Sequence, residues 1–332
     1  MLAAIRRLVV LASLAALAAA CWISFFSMFP LVPPRVPFDF TVRSGANLKS
    51  VSAQLAEEGL FPDRHTFWIL GRLAGKAAVI RAGTYRVEVA ITPLDLLEKL
   101  ATGDALPIEI AFIEGTTLRQ WLAQMQQHPY IRATLAGKPE GEIRAALGVR
   151  EEFLEGLFFP DTYRFLAGTS DVEILRRAYA AMGRRLAQAW ASRDPSLPLA
   201  TPHEALILAS IVEKETGQAS ERPVIASVFV NRLRLGMRLQ TDPTVIYGLG
   251  PAFDGNIRRS DLLADTPWNT YTRGGLPPTP IAMPGAASLA AVLNPAKTDY
   301  LYFVGRGDGT HQFSRTLEEH NRAVAKWQLG LS

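Results

Sequence analysis

Two glutamates and a lysine stand at the end of an apolar run, in the stretch ASIVEKETG at positions 209–217. The residues from Ala205 to Val212 are apolar nearly all round, which predicts a helix enclosed by neighbouring elements, with Gly217 as its C-terminal stop. A carboxyl at the rim of such a helix loses hydration, which raises its pKa. It then stays protonated near neutral pH, as a general acid must.

The two glutamates need separate assignments because they point in different directions. At ~100° per residue, Glu213 and Glu215 lie about 160° apart around the helix. Glu215 continues the buried stripe that includes Leu208 and Val212, so the geometry slightly favours it as the acid. The competing interpretation, which this geometry leaves open, is that both are ordinary helix-end carboxylates, one of them paired with Lys214 or an arginine.

Polar and aromatic side chains form two clusters further along the chain. The first is a dense polar group at 240–242 that ends in a Pro turn, and the second is the Gly- and Pro-rich loop 266–285, which is too long for packing alone. Hydroxyls, amides and aromatic faces are the groups that a sugar ring requires. We therefore expect a sugar cleft lined by Gln240, Thr241, Asp242, Tyr247, Asn269 and Tyr271. The alternative for Asp242 and Asn269 is that they cap turns.

Other chemistries lack the residues they need. The five histidines show no metal-site spacing, and Cys21 is the single cysteine. The chain has no G-x-S-x-G elbow and no P-loop, which argues against acyl transfer and nucleotide use. A net charge of +4 over 332 residues is too small to argue for nucleic-acid binding. We expect no metal and no cofactor.

The N-terminus predicts a membrane anchor. Leu8 to Val32 contains no charged residue, and at ~1.5 Å per residue it exceeds a ~30 Å hydrocarbon core. Arg6 and Arg7 precede it, so the positive-inside rule places residues 1–7 in the cytoplasm, the span at 8–32 in the plasma (inner) membrane, and the body outside. The alternative is a cleaved signal peptide with Cys21 as a lipidated residue. The run stays apolar for about ten residues beyond Cys21, which favours the retained anchor.

Two segments of the body look alike. Each runs from a strand through Gly-x-[Asn/Thr]-Leu into an amphipathic helix, once near Gly45 to Leu48 and again near Gly115 to Leu118. Asn47 is the predicted N-cap of the first helix. Such pieces resemble LysM-type modules, which grip the sugar backbone of wall polymers, although they are also a common supersecondary unit. We predict a LysM-like α+β domain at 33–110 and a second domain at 111–332.

Longer motifs carry a more specific resemblance. The stretches LASIVEKETGQASERPVIASVFVNRLRLGMRLQTDPTVIYG, NTYTRGGLPP, NPAKTDYLYFV and HQFSRTLEEHN resemble the endolytic murein transglycosylase, or YceG-like, family. The resemblance covers most of the chain, including the anchor. The chain departs from the usual pattern at Thr279, where glycine is more common, and at Met283, where a polar residue is. These departures concern how that loop contacts substrate.

The resemblance implies an α+β protein whose second domain is a mainly helical catalytic domain of lytic-transglycosylase type, with long loops. Its implied activity cleaves the β-1,4 bond between N-acetylmuramic acid and N-acetylglucosamine and leaves 1,6-anhydro ends, which would terminate nascent strands. The implied catalytic acid is Glu215, with Glu213 structural. The implied partners are glycan strands and cell-wall synthases. Two rival readings remain: a wall-binding scaffold, and a hydrolase that leaves reducing ends.

Overall fold

The computed structural model describes residues 2–330 and divides into two compact units. The first comprises the residues up to Glu109 together with Arg164–Gly168, and the second comprises Ile110–Tyr163 together with the chain from Thr169 onward. Helices and strands occur in both units, so the α+β class predicted from the sequence is confirmed. The first unit therefore includes a short segment, Arg164–Gly168, that lies well beyond the predicted domain boundary at residue 110.

The first unit is built around a two-stranded antiparallel sheet. Two helices lie between the paired strands along the chain. In the strand pairing, Phe40 lies opposite Tyr85. Asp39 lies opposite Arg86, and the guanidinium donates two hydrogen bonds of 2.8 Å to that carboxylate. The elements in chain order are α1 (Leu2–Met28), β1 (Phe38–Val42), α2 (Leu48–Glu57), α3 (Thr66–Leu73), β2 (Gly83–Val87) and α4 (Pro93–Thr102), and β3 (Glu109–Ala111) begins where this unit ends.

Local sequence explains how α2 forms. The Asn47 side chain accepts a hydrogen bond of 2.9 Å from the Ser50 N–H, which confirms the predicted N-cap. Leu48, Val51 and Leu55 are buried in the core of this unit, as the helical stripe predicts. Gly71 of α3 packs so close to α2 that a Cβ there would lie 2.1 Å from a Leu48 methyl carbon. A larger residue at this position would therefore have to displace the buried Leu48 side chain.

Among the residues that the structure describes, one helix is long and apolar enough to cross a membrane, Ile5–Met28, and its most apolar part is not buried by the protein. It ends four residues before the predicted limit at Val32. The reason is that Leu31 already forms a two-bond backbone bridge with Ile91, of 2.9 and 3.1 Å. Near its end Phe26 is buried against Phe61, with ring centroids 5.8 Å apart. The last turn of α1 thus belongs to the folded first unit.

The second unit is mainly helical, with short strand pairs. Strands β4 and β6 pair in parallel, and β7 and β8 form an antiparallel hairpin. Its elements are α5 (Leu118–Gln127), β4 (Ile131–Arg132), α6 (Glu140–Leu147), β5 (Thr162–Arg164), β6 (Thr169–Ser170), α7 (Asp171–Ala191), α8 (Pro202–Glu215), α9 (Arg222–Arg234), α10 (Asp242–Leu249), a 3₁₀ turn (Gly250–Ala252), α11 (Arg259–Leu263), α12 (Ala286–Leu293), β7 (Tyr302–Gly305), β8 (His311–Ser314) and α13 (Leu317–Trp327).

Helix α8 is the central element of this unit. Every residue from Ala205 to Val212 is buried, and α7, α9, α10 and α12 pack against it. The enclosed helix predicted from the apolar run is therefore confirmed. It ends at Glu215 because Thr216 adopts an extended backbone, two residues from the predicted stop at Gly217.

Two predicted local features differ in the structure. The stretch SERPVIASVFVNRLRLG predicts a helix with Ser220 as its N-cap. Helix α9 instead begins after Glu221, so this N-cap is wrong. The predicted Pro turn after Asp242 is also different: Asp242 and Pro243 form the first turn of α10, where proline is favoured because it lacks the N–H that would have no helical partner. The polar cluster 240–242 therefore stands at a helix start.

The long loop 266–285 is fastened to α8 and to the segment before α5. The Ile281 N–H donates to the Ser210 hydroxyl at 2.9 Å, and the Gly285 N–H donates to the Glu213 carboxylate at 2.9 Å. Met283 is buried and exchanges backbone hydrogen bonds with the loop at 115–116. These contacts fix the loop beside the end of α8, where the carboxylates lie.

Candidate active site

Glu215 is the last residue of α8, and its side chain is only partly exposed. The Thr241 hydroxyl donates a hydrogen bond to Glu215 Oε1. Burial raises the pKa of Glu215 to about 7, the Thr241 hydrogen bond opposes this rise, and the nearby Asp242 charge adds to it. Among the described residues no cationic side chain forms an ion pair with this carboxyl. Glu215 can therefore hold or release a proton near neutral pH.

Glu213 has a different environment on the other face of the helix. Its Oε1 lies 3.5 Å from Arg222 Nη2, its Oε2 accepts the Gly285 N–H at 2.9 Å, and its side chain is 5% exposed. Both oxygens are thus engaged by groups that hold α9 and the long loop in place. This geometry supports the structural role expected for Glu213.

Gln240 and Thr241 approach Glu215 on a strained segment. Within residues 2–330, Gln240 is the one non-glycine residue with a positive φ, of 50°. Its N–H donates to the Thr270 carbonyl at 3.2 Å, and Arg232 donates to the Leu239 carbonyl at 2.9 Å, so the surrounding contacts hold the strained backbone. Strain of this kind concentrates at functional sites, where it presets a side chain. Here it presents the Thr241 hydroxyl to Glu215 and leaves the Gln240 side chain exposed.

Asp242 and Tyr271 form a second polar pair next to this point. The Tyr271 hydroxyl donates to Asp242 Oδ1 at 2.6 Å. Burial raises the pKa of Tyr271, and the hydrogen bond to Asp242 raises it further, so the phenol stays protonated. Since Thr241 and Asp242 are neighbours in the chain, Glu215 and the Tyr271 ring flank the same short segment.

Asn269 is buried, and both the nitrogen and the oxygen of its side-chain amide form hydrogen bonds with backbone groups. Its amide nitrogen lies within hydrogen-bond distance of the carbonyls of Asp261, Leu262 and Ala264, at 3.2, 3.1 and 2.7 Å. Its amide oxygen accepts the Tyr271 N–H at 2.8 Å. The side chain holds the loop that carries Tyr271, a role closer to the turn-capping alternative than to direct contact with a sugar.

Tyr247 lies on α10 and contacts Glu155 and Trp268 rather than Glu215. Its hydroxyl donates to Glu155 Oε2 at 3.3 Å, and its ring meets Trp268 edge to face with centroids 5.7 Å apart. Both rings line a cavity of about 810 Å³ whose lining does not include Glu215. The predicted residues thus divide into a group beside Glu215 and a single aromatic residue in this cavity.

Three ionisable residues of this region were not predicted from the sequence. Burial raises the pKa of Glu155 to about 7, and a carboxylate inside the apolar run FLEGLFF could have indicated it. Arg232 is buried and supports the backbone before Gln240. His311 pairs with Glu221 at 2.7 Å and counteracts the rise in the pKa of Glu215. Within residues 2–330, no three His, Cys, Asp or Glu side chains are grouped as metal ligands.

The structure is that of an α+β protein with an apolar N-terminal helix and a helical unit in which Glu215, a carboxyl of raised pKa, lies beside a long, fastened loop. The chain belongs to the YceG-like family, whose model matches residues 40–326. This match covers most of both compact units, without α1, and includes every residue assigned to the site. It confirms the family resemblance found in the motifs.

Known proteins agree with this assignment. The chain is 31% identical over 307 residues to the endolytic murein transglycosylase of Bacillus subtilis (strain 168), covering 87% of this chain and 84% of that protein. It is 27% identical over 321 residues to the protein of the same name from Streptococcus pneumoniae, but spans only 57% of that longer relative. A crystal structure of a yceG-like protein from Listeria monocytogenes superposes with a TM-score of 0.57 at 30% identity, covering 86% of this chain and 98% of that one.

Proposed function

We propose that this protein is an endolytic murein transglycosylase that cuts the β-1,4 bond between N-acetylmuramic acid and N-acetylglucosamine within glycan strands. The observation that carries the proposal is the Glu215 carboxyl, which burial holds at a pKa of about 7 beside a hydroxyl donor. Family membership and the names of the relatives support the substrate class.

One carboxyl suffices for this chemistry. Glycosidases need two, because a second carboxylate must attack the sugar or activate water. In the proposed reaction the bond from C1 of the muramic residue to the leaving oxygen breaks first, the acetamido group of the same sugar stabilises the cationic centre at C1, and the C6 hydroxyl then bonds to C1. Glu215 gives its proton to the leaving oxygen and takes the proton from the C6 hydroxyl. The products are a free 4-hydroxyl and a 1,6-anhydro end, and no water is consumed.

The neighbouring side chains divide between contact and support in this proposal. Gln240, Asp242 and Tyr271 contact the sugars, because they are partly or fully exposed and lie on the segments beside Glu215. Thr241 orients the acid through its hydrogen bond. Asn269 acts through the loop that it holds, and Tyr247 contributes from the neighbouring cavity.

The first unit positions the second unit on its substrate and at the membrane in this proposal. Its strand–helix–helix–strand order with antiparallel pairing, β1 to β2, is the order of LysM-type modules, so we assign it glycan holding. The apolar helix before it carries Arg6 and Arg7 near its start, and it anchors the body on the outer side of the plasma membrane. An enzyme held there meets strands as they are made, next to the wall synthases, and terminates them.

Product analysis tests the proposal. The full chain in detergent micelles is incubated with isolated murein, and the soluble fragments are weighed by mass spectrometry. We expect anhydro-ended fragments, each one water lighter than the reducing-end fragments of a hydrolase. Reducing ends would overturn the transglycosylase assignment. Glycan binding without any cleavage would favour the scaffold instead.

A further inference from the structure

The second unit contains a cavity that the acid chemistry of Glu215 does not use. Its volume is about 810 Å³, and it lies between the start of α5, α6 and α10. Its wall is apolar and aromatic, with Leu118, Phe153, Ile246, Phe253 and Trp268 among the lining residues. Cavities of this size and composition are typical of sites for small organic ligands.

Glu155 shapes the interior of the cavity. It is 8% exposed, its Oε1 accepts the Leu118 N–H at 3.0 Å, and its Oε2 accepts the Tyr247 hydroxyl at 3.3 Å. Trp268 is fixed in turn, because its indole N–H donates to the Thr279 hydroxyl at 2.9 Å. The aromatic wall is therefore preorganised before any ligand enters.

The charged residues at the cavity are mostly cationic. Arg119 has no hydrogen bond or ion pair with the described residues, and Lys138 has only a 3.9 Å contact with Glu142. Lys214 donates to the Gly115 carbonyl at 3.1 Å. Against these three cations stand Glu140, whose carboxylate accepts the Leu154 N–H, and the buried Glu155, whose pKa burial raises to about 7, so that it is only partly ionised near neutral pH. Such a balance attracts a ligand with carboxylate groups.

The cavity begins one residue away from the proposed acid. Lys214 lines the cavity and precedes Glu215, while Pro243 lines it and follows Asp242. Consecutive Cα atoms are about 3.8 Å apart, so a group in the cavity and a sugar at Glu215 are close enough to belong to one molecule. This closeness favours a side branch of the substrate over an unrelated ligand as the occupant.

We propose that this cavity binds the acidic peptide branch that the muramic residues of murein carry, and that Arg119 and Lys138 recognise its carboxylates. The inference rests on the proposed function. Sugar rings need hydroxyls, amides and aromatic faces but no cations, whereas a short peptide with carboxylates and small aliphatic side chains matches both the cationic rim and the apolar wall.

The test compares one glycan with and without its peptides. Murein strands are used intact or after an amidase has removed the peptides, and kcat/KM is measured with the full chain in detergent micelles. We expect wild type to prefer the peptide-bearing strands, and Arg119→Gln/Lys138→Gln to lower the ratio of the two kcat/KM values about tenfold, as the loss of two exposed ion pairs permits. Arg150→Gln/Arg184→Gln removes two exposed charges of the same unit outside the cavity and should leave the ratio as in wild type.

Each other outcome has a defined meaning. If the Arg119/Lys138 variant loses activity equally on both substrates, the cavity is a further sugar subsite and the inference is overturned. An unchanged ratio overturns it as well. If wild type cleaves neither substrate, the proposed function fails. Calorimetric titration of wild type and variant with the amidase-released peptide then tests the cavity by itself: binding that the variant weakens supports it, and no binding by wild type overturns it.

Discussion

Glu155 is a buried carboxyl of the second unit and Glu215 a largely buried one, and loss of hydration raises the pKa of each to about 7. They differ in what their oxygens meet. Both oxygens of Glu155 accept hydrogen bonds, from the Leu118 N–H and the Tyr247 hydroxyl. Only Oε1 of Glu215 does, from Thr241, while Oε2 accepts no hydrogen bond from the described residues and is not sealed from solvent.

The comparison shows that a raised pKa identifies desolvation and not, by itself, a catalytic role. Structural carboxyls in apolar surroundings show the same shift as acids do. An acid also needs an oxygen that a substrate can reach. Glu215 has both a raised pKa and an accessible oxygen. Glu155 has the raised pKa only, because both of its oxygens accept hydrogen bonds that position Tyr247 and the start of α5.

The largest expected effect separates these two residues directly. Glu215→Gln keeps the shape but removes the proton donor, so kcat should fall by about 10³-fold, within the range for a general acid. Glu155→Gln should lower kcat less than about tenfold, since an amide can still accept from Leu118. Both rates are measured as release of anhydro-ended fragments, with circular dichroism as the check on folding. Equal losses of kcat in the two variants would contradict the assignment of Glu215, and not Glu155, as the acid.

Glu213 extends the comparison to a carboxyl whose oxygens are engaged by a cation and a backbone N–H. Glu213→Ala leaves Arg222 and the Gly285 N–H without their partner in a nearly closed environment, so the free energy of unfolding should fall by about 3 kcal/mol. Denaturant titration measures this. Glu204→Ala, in the first turn of the same helix, is the control for removing a glutamate and should cost about 1 kcal/mol. A Glu213 variant as stable as wild type would refute the structural role.

The sequence predicted what depends on local pattern. The buried stripe of α8 and the Asn47 cap follow from helix periodicity and from a side chain that bonds three residues away. The role of Asn269 could not be predicted, because an amide suits a sugar and a turn equally well and only the path of the loop decides. The environment of Glu155 depends on Tyr247, which is 92 positions away. Contacts of that range are fixed by tertiary packing.

The pH dependence of activity sharpens the account of Glu215. Because the acid must be protonated, kcat/KM should fall above about pH 7, tenfold per pH unit. Thr241→Val removes a hydrogen bond that lowers the pKa of Glu215, so the alkaline limb of the pH profile, where kcat/KM falls, should move to higher pH. Asp242→Asn removes a charge that raises this pKa, so the limb should move to lower pH. Each shift should change the rate at fixed pH by less than about tenfold. Shifts in the same direction would contradict this arrangement.

The smallest expected effect concerns the wall of the Glu155 cavity. Thr279 is buried, and its hydroxyl accepts the Trp268 indole N–H at 2.9 Å. Thr279→Gly leaves that N–H without its partner, so the free energy of unfolding should fall by about 1 kcal/mol and the tryptophan ring should become more mobile. Thr279→Ser keeps the hydroxyl and should stay close to wild type. Thermal unfolding and fluorescence anisotropy measure the two effects, and a glycine variant with wild-type stability and anisotropy would mean that packing against Tyr247 alone holds the ring.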